Sequence, residues 1–477
     1  MVLPIAQPFF SQRGLMGDSR AVRQGPISGE RPHCAGRQGA VGLTFPKLRN
    51  EIYEVIHENF FPRSYAMKTA DPELMRAINR FHVLDAIRRH GSISRTEICE
   101  QTDLSSTTVS AITAALLDDG LIATRAIGDI RGMQRGRPRV MLELNADAAR
   151  VVGVKIGPQR IVYAVTNFQG DVLADLAMPV RVDRQPADVI ADLVEDGVRR
   201  CVADAGLTLA GIKSACVALP GVVEHGTGVV RYSPILREQD VAFGPAMLTR
   251  LGLPTLVESD ANAAAIAEHW FRQCRDLDDF LIVTMEHSLG LGVMHGGELF
   301  RGARGISFNL GGLVVGTFRS ANLEDARLSN VASEPAILAA LNSQPGFAEA
   351  MQVGAGLSLA LKRQPDELLA DALDQAGVAL GIAIANLITL FAPPRVVLTG
   401  PTLAFGDQLL RGLRAALASA LPPWLADISE IMVDQIDDTA WARGAAGAVL
   451  RELYGAPWGT TGPARPRVLS RGEDGSK

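Results

Sequence analysis

The sequence predicts an α+β winged helix-turn-helix domain over 71–146, joined to a large α/β domain over 150–455. Three observations carry that prediction. Two hydroxyl-capped helix signals lie side by side between Ile93 and Gly120. A loop carrying five arginines follows, set between two strand-like segments. From Val151 onward, strand-like runs and Gly-rich turns alternate with helical patterns, the signature of an α/β fold.

Residues 1–70 mix Pro, Gly, Arg and Ser with isolated aromatic pairs at Phe9-Phe10 and Phe60-Phe61 and hold no sustained period. They lack the basic-then-apolar order of a signal peptide, so a disordered extension, partly helical near Ile52–Phe61, is expected. Met67 stands just before the first clear element and is a candidate start. Ile78, Phe81, Val83, Leu84 and Ile87 then recur at helical spacing, with Asp85 expected on the exposed side. Ser94-Arg95-Thr96-Glu97 is a capping box that starts a short helix. Thr102-Asp103-Leu104 turns the chain, Ser105 caps a second helix, Val109, Ile112, Leu116 and Leu117 form its apolar face, and Gly120 ends it. Any small three-helix bundle shares this periodicity. The following segment separates the cases: Leu121–Thr124 and Val140–Leu144 are strand-like, and Arg125–Arg139 between them holds five Arg against one acidic residue, Asp129. The formal charge of the whole chain is -5, so this basic loop is a local asymmetry that favours a phosphate-facing wing.

The residues expected to meet double-stranded DNA are Arg95, Ser105, Ser106, Thr107, Thr108 and Ser110 on the helices and Arg135, Arg137 and Arg139 on the wing. The second helix offers small hydroxyl side chains and Ala111, and no Arg, Lys, Asn or Gln in its first turns to grip a base edge bidentately. Arg135-Gly136-Arg137-Pro138-Arg139 resembles an AT-hook core, whose extended backbone lets guanidinium groups enter a narrow minor groove. The expected operator is therefore A/T-rich and read through groove shape.

With 477 residues, 47% of them hydrophobic, the chain can bury several cores. Its longest apolar run, Gly377–Ala392, is short for a span, contains Asn386 and Thr389, and ends at Pro393-Pro394, so a buried helix and no membrane partner are expected. Cys34, Cys99, Cys201, Cys216 and Cys274 form no C-x-x-C pair or metal-ligand spacing, which points to reduced thiols in a cytoplasmic protein. His225, His269, His287 and His295 show no H-x-x-x-H pattern. Residues 459–477, rich in Gly, Pro, Arg and Ser, read as a disordered tail.

Five motifs then occur in a telling order: Gly153-Val154-Lys155-Ile156-Gly157, Ala218-Leu219-Pro220-Gly221-Val222-Val223, Glu258-Ser259-Asp260-Ala261-Asn262, Gly302-Ala303-Arg304-Gly305, and Ala385-Asn386-Leu387 with Val396-Val397-Leu398-Thr399-Gly400. Together they resemble the ROK family of sugar-responsive repressors and sugar kinases over about four-fifths of the chain. The resemblance implies an actin-like, ribonuclease H-like two-lobed domain. It also implies a sugar cleft near Pro220, Gly221, Ser259, Asp260 and Asn309.

The departures from the kinase pattern matter as much. Lys155 stands where the kinases place a metal-organising acid, Pro158-Gln159 follow where Gly and Thr are usual, and Glu286-His287 replace Gly-Thr in the second phosphate loop. Lysine cannot ligate magnesium, proline lacks a backbone donor, and a carboxylate repels phosphate. The positions of the family's Glu and His read Asn309 and Gly312, those of its three cysteines read Ser320, Asn322 and Arg327, and a later sugar-contacting Glu reads Ser329. Ser, Asn and Arg do not build a thiolate zinc site. No cofactor, no metal and no enzymatic activity are expected.

Asp260 retains the position of the kinases' general base, and it can equally serve as the N-cap of the helix that follows or as a hydrogen-bond partner of an effector. Asn262 is expected to face solvent or a neighbouring loop. The reading that unites these features is a DNA-binding transcriptional repressor of carbohydrate-related genes with a catalytically degenerate effector domain, a sugar-type effector, and a homodimeric or higher assembly matching paired half-sites. A sugar kinase with an appended DNA-binding domain, and a docking module for another protein, are the competing readings.

Overall fold

The structure, a computed structural model, describes residues 2–3, 72–125, 140–182, 184–316, 326–342 and 367–455. The predicted wing arginines Arg135, Arg137 and Arg139 lie outside the described residues, as do Cys34, Ser320, Asn322, the tail, and the amino-terminal extension apart from a two-residue strand, β1 (Val2–Leu3).

The small domain is built around α1 (Pro72–His90), which buries Phe81, Val83, Leu84 and Ile87 as the sequence pattern requires. After β2 (Ile93–Ser94), α2 (Arg95–Thr102) opens on the expected capping box: Ser94 N–H donates to Glu97 Oε2 at 2.8 Å, and Glu97 N–H donates back to Ser94 Oγ at 3.4 Å. Asp103, left-handed at φ 53°, ends it, and Ser105 caps α3 (Ser106–Asp118) by accepting from Thr108 N–H. Strands β3 (Ile122–Arg125) and β4 (Met141–Leu144) complete a three-stranded sheet in the order β2-β4-β3. This is a winged helix.

Two expectations need correction here. Thr113 is fully buried at the centre of the inner face of α3, between Val109 and Leu116, while Ile112 and Leu117 only flank it. The reason is Arg95, whose Nε donates to Thr113 Oγ1 at 2.9 Å and so satisfies the buried hydroxyl. Asp85 is also not an exposed position. Its carboxylate pairs with Arg88 at 2.8 Å and Arg89 at 2.7 Å, and it turns both guanidinium groups toward the large domain.

The large domain holds two sheets on one plan. The first joins β5 (Arg150–Ile156), β6 (Arg160–Asn167), β7 (Val172–Pro179), β8 (Ser214–Leu219) and β11 (Thr255–Ser259) in the order β7-β6-β5-β8-β11. The second joins β12 (Phe280–Met285), β13 (Leu289–His295), β14 (Glu298–Leu299), β15 (Arg395–Thr399) and β16 (Glu430–Val433) in the order β14-β13-β12-β15-β16, with β1 added at the β16 edge. In each, a three-stranded antiparallel meander precedes two strands parallel to its first. This duplicated plan is the actin-like arrangement.

Helix α6 (Asp260–Phe271) packs against both sheets, α12 (Asp438–Leu453) packs against the first, and the two helices pack on each other. Their backbones meet at Gly444, where a Cβ would stand 2.1 Å from the Ala263 carbonyl oxygen. Only glycine allows that approach. The apolar run of the sequence becomes α9 (Glu367–Phe391), packed against α10 (Asp407–Ala420). Its segment Ala370–Phe391 is long and apolar enough to cross a membrane by length and composition, and most of it is buried inside the fold. Cys99, Cys201, Cys216 and Cys274 are unpaired, and burial pushes the Cys201 thiol up to about 11 and that of Cys274 to about 12.

Candidate functional site

The face of α3 turned to solvent carries Ser106, Thr107, Ser110, Ala111 and Ala114. These are small groups at the spacing of a single helical face. Ser105 and Thr108 are spent largely within the cap, with Ser105 Oγ 2.9 Å from Thr107 Oγ1 and 2.8 Å from Thr108 Oγ1. Arg95 is half-buried and holds α2 to α3, so of the residues assigned to DNA it also has an architectural task.

The large domain carries a cavity of ≈ 440 Å³ between its lobes. Of the predicted ligand residues, Gly221, Ser259, Asp260 and Asn309 line it. Pro220 does not: it is buried, and its carbonyl accepts from Ser233 Oγ at 2.6 Å, so it shapes the turn behind the cavity wall. Gly221, at φ 130°, completes that turn where a Cβ would lie 2.1 Å from Tyr232 O. The cap of α6 is Ser259, which accepts from Asn262 N–H, and not Asp260, because the helix already includes Asp260 as its first residue. Asn262 does not face solvent. It is fully buried and donates to Glu258 Oε1 at 2.7 Å, which satisfies a carboxylate held below its usual range, against the cost of burial, by Arg301 and His225.

Asp260 is 4% exposed, with Oδ1 accepting from Ala261 N–H at 2.8 Å. Burial, reinforced by the nearby Glu286 carboxylate and opposed by Lys155, pushes its pKa up to about 6. Asn309 folds onto its own turn, Oδ1 accepting from Gly312 N–H at 3.2 Å. Arg327, His287 and Asn330 complete the polar wall. None of the three was assigned to the ligand from sequence, because each lies on a segment whose return to the cleft is a long-range event.

The two phosphate loops of the resemblance are the equivalent hairpin turns β5–β6 and β12–β13. Here they are joined by a salt bridge. Lys155 Nζ lies 2.7 and 2.9 Å from the two Glu286 carboxylate oxygens, 3.4 Å from Asp438 Oδ1, and 4.4 Å from the centre of the Trp441 ring. Arg160 Nε reaches the other Asp438 oxygen at 2.7 Å. Burial works against the charge of Lys155, and Glu286 and Asp438 more than compensate, holding its pKa above the ordinary lysine value. The two departures that looked like independent losses are therefore one unit. A metal–triphosphate does not fit: the pair stands at the mouth of the loop, 3.2 and 3.8 Å from where a Gly157 Cβ would be. Zinc does not fit either, since Asn309, Gly312 and Arg327 offer no thiolate or imidazole.

The far end of α6 reaches the winged helix. Arg88 lies over the Trp270 ring at 4.6 Å and donates to Trp270 O at 3.4 Å, while Arg275 donates to Arg88 O at 2.5 Å. Arg89 donates to Asp278 Oδ1 at 2.6 Å and lies 3.3 Å from His269 Nε2. Burial, then Arg88, Arg451 and Arg89, hold His269 well below its usual pKa, so the ring is a neutral acceptor. One helix thus begins at the cavity and ends at the domain that carries α3.

Comparison with known proteins gives two family matches: the ROK family over residues 151–452, and winged helix-turn-helix DNA-binding over residues 76–123. The xylose repressor of Caldicellulosiruptor bescii is 25% identical over 403 residues, covering 80% of this chain and 98% of that protein. The N-acetylglucosamine repressor of Escherichia coli O157:H7 is 23% identical over 363 residues, covering 72% and 86%. Among solved structures, a ROK family transcriptional regulator described as a homolog of the E. coli MLC protein superposes with a TM-score of 0.65 at 24% identity, covering 80% of this chain and 97% of its own. A ROK glucokinase from Streptomyces griseus, in complex with glucose and AMPPNP, reaches 0.52 at 23% identity, covering 63% and 99%. Both structural likenesses concern the fold.

Proposed function

The chain belongs to the ROK family, and from that premise we propose that it is a cytoplasmic, DNA-binding transcriptional repressor of carbohydrate-related genes, released or engaged by a sugar-type effector and without phosphoryl transfer. The observation that carries this reading is the course of α6. Its first residue, Asp260, lines the interlobe cavity, and Trp270, at its other end, packs on Arg88 of the winged helix. A helix of this length spans roughly 18 Å. A small sugar bound against Asp260, Asn309 and Ser329 acts on DNA affinity by favouring one setting of that helix over another.

The Lys155–Glu286 pair supports the non-catalytic half of the reading, because it takes the place between the loops that phosphates need. The general-base position is kept as a polar wall for the effector. On the DNA side, the hydroxyl face of α3 and the wing arginines Arg135, Arg137 and Arg139 favour phosphate contact and an A/T-rich operator, read by a homodimer across paired half-sites. The relatives carry the names of xylose and N-acetylglucosamine repressors, which makes a neutral sugar panel the natural probe set.

The test is a footprint of the purified chain on DNA flanking its own gene, at fixed salt, with and without those sugars, alongside an ATP-turnover assay with the same panel. Protection of a discrete site that one sugar shifts at least tenfold, with no nucleotide consumed, is the expected result. Sugar-dependent ATP turnover without any protected site establishes the kinase reading instead.

A further inference from the structure

A second cavity, of ≈ 330 Å³, lies where the winged helix meets the large domain. Its walls come from both: Ile87, Gly91 and Arg125 from the winged helix, and Trp270, Arg275 and Arg443 from the large domain. Its charge is unusual for an internal junction. Four arginines line it. Two are matched, Arg88 by Asp85 at 2.8 Å and Arg125 by Glu143 at 3.6 Å.

The other two are not. Among the described residues, no carboxylate lies within ion-pair distance of Arg275 or Arg443; their polar contacts are to main-chain oxygens, Arg275 to Arg88 O at 2.5 Å and Arg443 Nε to Gly170 O at 2.6 Å. Arg443 also stacks on Phe271 at 3.9 Å, which fixes the plane of its guanidinium. Burial keeps its pKa below the ordinary value, against the pull of Asp171, a carboxylate on the same cavity wall, and with a smaller like-charge repulsion from Arg275. Arg275 Nε and the indole Nε1 of Trp270, a residue 3% exposed, are buried donors without an acceptor. Buried donors are ordinarily satisfied, and unmatched guanidinium groups from two separate elements make a fork that suits a tetrahedral anion.

We infer that this junction is a second ligand site, for a phosphorylated metabolite of about sugar size, distinct from the interlobe cleft. Its volume exceeds what a bare phosphate needs and falls at the lower end of small-molecule pockets, which run from about 300 Å³. Because the walls belong to both domains, the bound anion ties the DNA-reading domain to the body that senses sugar. The interlobe cleft and this junction are then two inputs to one output. The site stands on its own residues and does not depend on the cleft's ligand being a sugar.

The experiment is calorimetric titration of the full chain at constant ionic strength with glucose 6-phosphate, inorganic phosphate and glucose, repeated on Arg275→Gln, Arg443→Lys and the cleft variant Asp260→Asn. The expected result is saturable binding of glucose 6-phosphate that inorganic phosphate competes away, weakened at least tenfold in Arg275→Gln and Arg443→Lys and unchanged in Asp260→Asn. Should Arg443→Lys fail to fold, Arg275→Gln decides, since Arg275 lies outside the two packed helices. Absence of any saturable response to either phosphate overturns the proposal, as does binding that both arginine variants leave intact. Loss of binding in Asp260→Asn alone would place the phosphate in the cleft and likewise overturn it.

Discussion

Lys155 is 1% exposed, and an ammonium group so buried survives only with compensation. Two Glu286 oxygens, the Asp438 carboxylate and the face of Trp441 supply it. Removing one partner of a buried pair leaves a stranded charge and costs about 3–5 kcal/mol, whereas removing both costs much less. Lys155→Met is therefore expected to lower unfolding stability by about that amount in urea, and Lys155→Met with Glu286→Gln to recover at least half of the loss; strictly additive losses would show that the two side chains are not coupled. Asp260, beside this pair, titrates in the opposite sense to an ordinary surface carboxylate. Its folded pKa, about 6, lies above the usual 3.8, so the folded state holds the proton more tightly than the unfolded chain. The associated stability is present below about 3.8 and lost as pH rises through about 6, a swing on the order of 3 kcal/mol. Asp260→Asn removes this contribution, and its stability curve between pH 4 and 7 should rise relative to wild type as pH increases. Parallel curves for the two proteins would mean that Asp260 is not so perturbed.

At the scale of elements, what was legible in the sequence was what is local. The capping box at Ser94 and Glu97 and the Ser105 cap each close within three residues, so their spacing alone fixes two helix starts and the turn between them. The alternation from Val151 onward marks strands without saying how they join. The ordered motifs supplied the duplicated sheet plan, which no single segment carries. The hidden features are all pairings across the chain: Lys155 meets Glu286 131 residues away, and Arg89 meets Asp278 at a separation of 189. Asp85 shows the physical reason most clearly. Helical spacing places it away from the apolar stripe of α1, which reads as a solvent position, but the side that the stripe leaves is the one that meets α6 through Arg88 and Arg89. The N-cap of α6 misled for a smaller reason, since Ser259 and Asp260 are adjacent residues of similar capping preference and only the strand that precedes them decides which one stands outside the helix.

At the scale of the whole molecule, a chain of formal charge -5 approaches a polyanion through a minor part of its surface. On the proposed reading, the body repels DNA weakly at long range while the wing attracts it at contact. That arrangement makes affinity depend on how many phosphates the wing neutralises, since each one releases counterions and adds about 0.9 to the slope of log K against log salt. If Arg135, Arg137 and Arg139 each meet a phosphate or the negative floor of a narrow groove, replacing all three by Ala lowers that slope by about 2–3, and the preference for A/T-rich over G/C-rich flanks shrinks with it. On the same reading the hydroxyl face of α3 adds little to the salt slope, because Ser106, Thr107 and Ser110 carry no charge. Fluorescence anisotropy with two operator duplexes differing only in their flanks, each titrated at several salt concentrations, measures both effects at once. A triple variant that keeps the slope and loses the flank preference would put the arginines on base edges instead of the backbone. One that keeps both would remove the wing from the interface and leave α3 to read DNA alone.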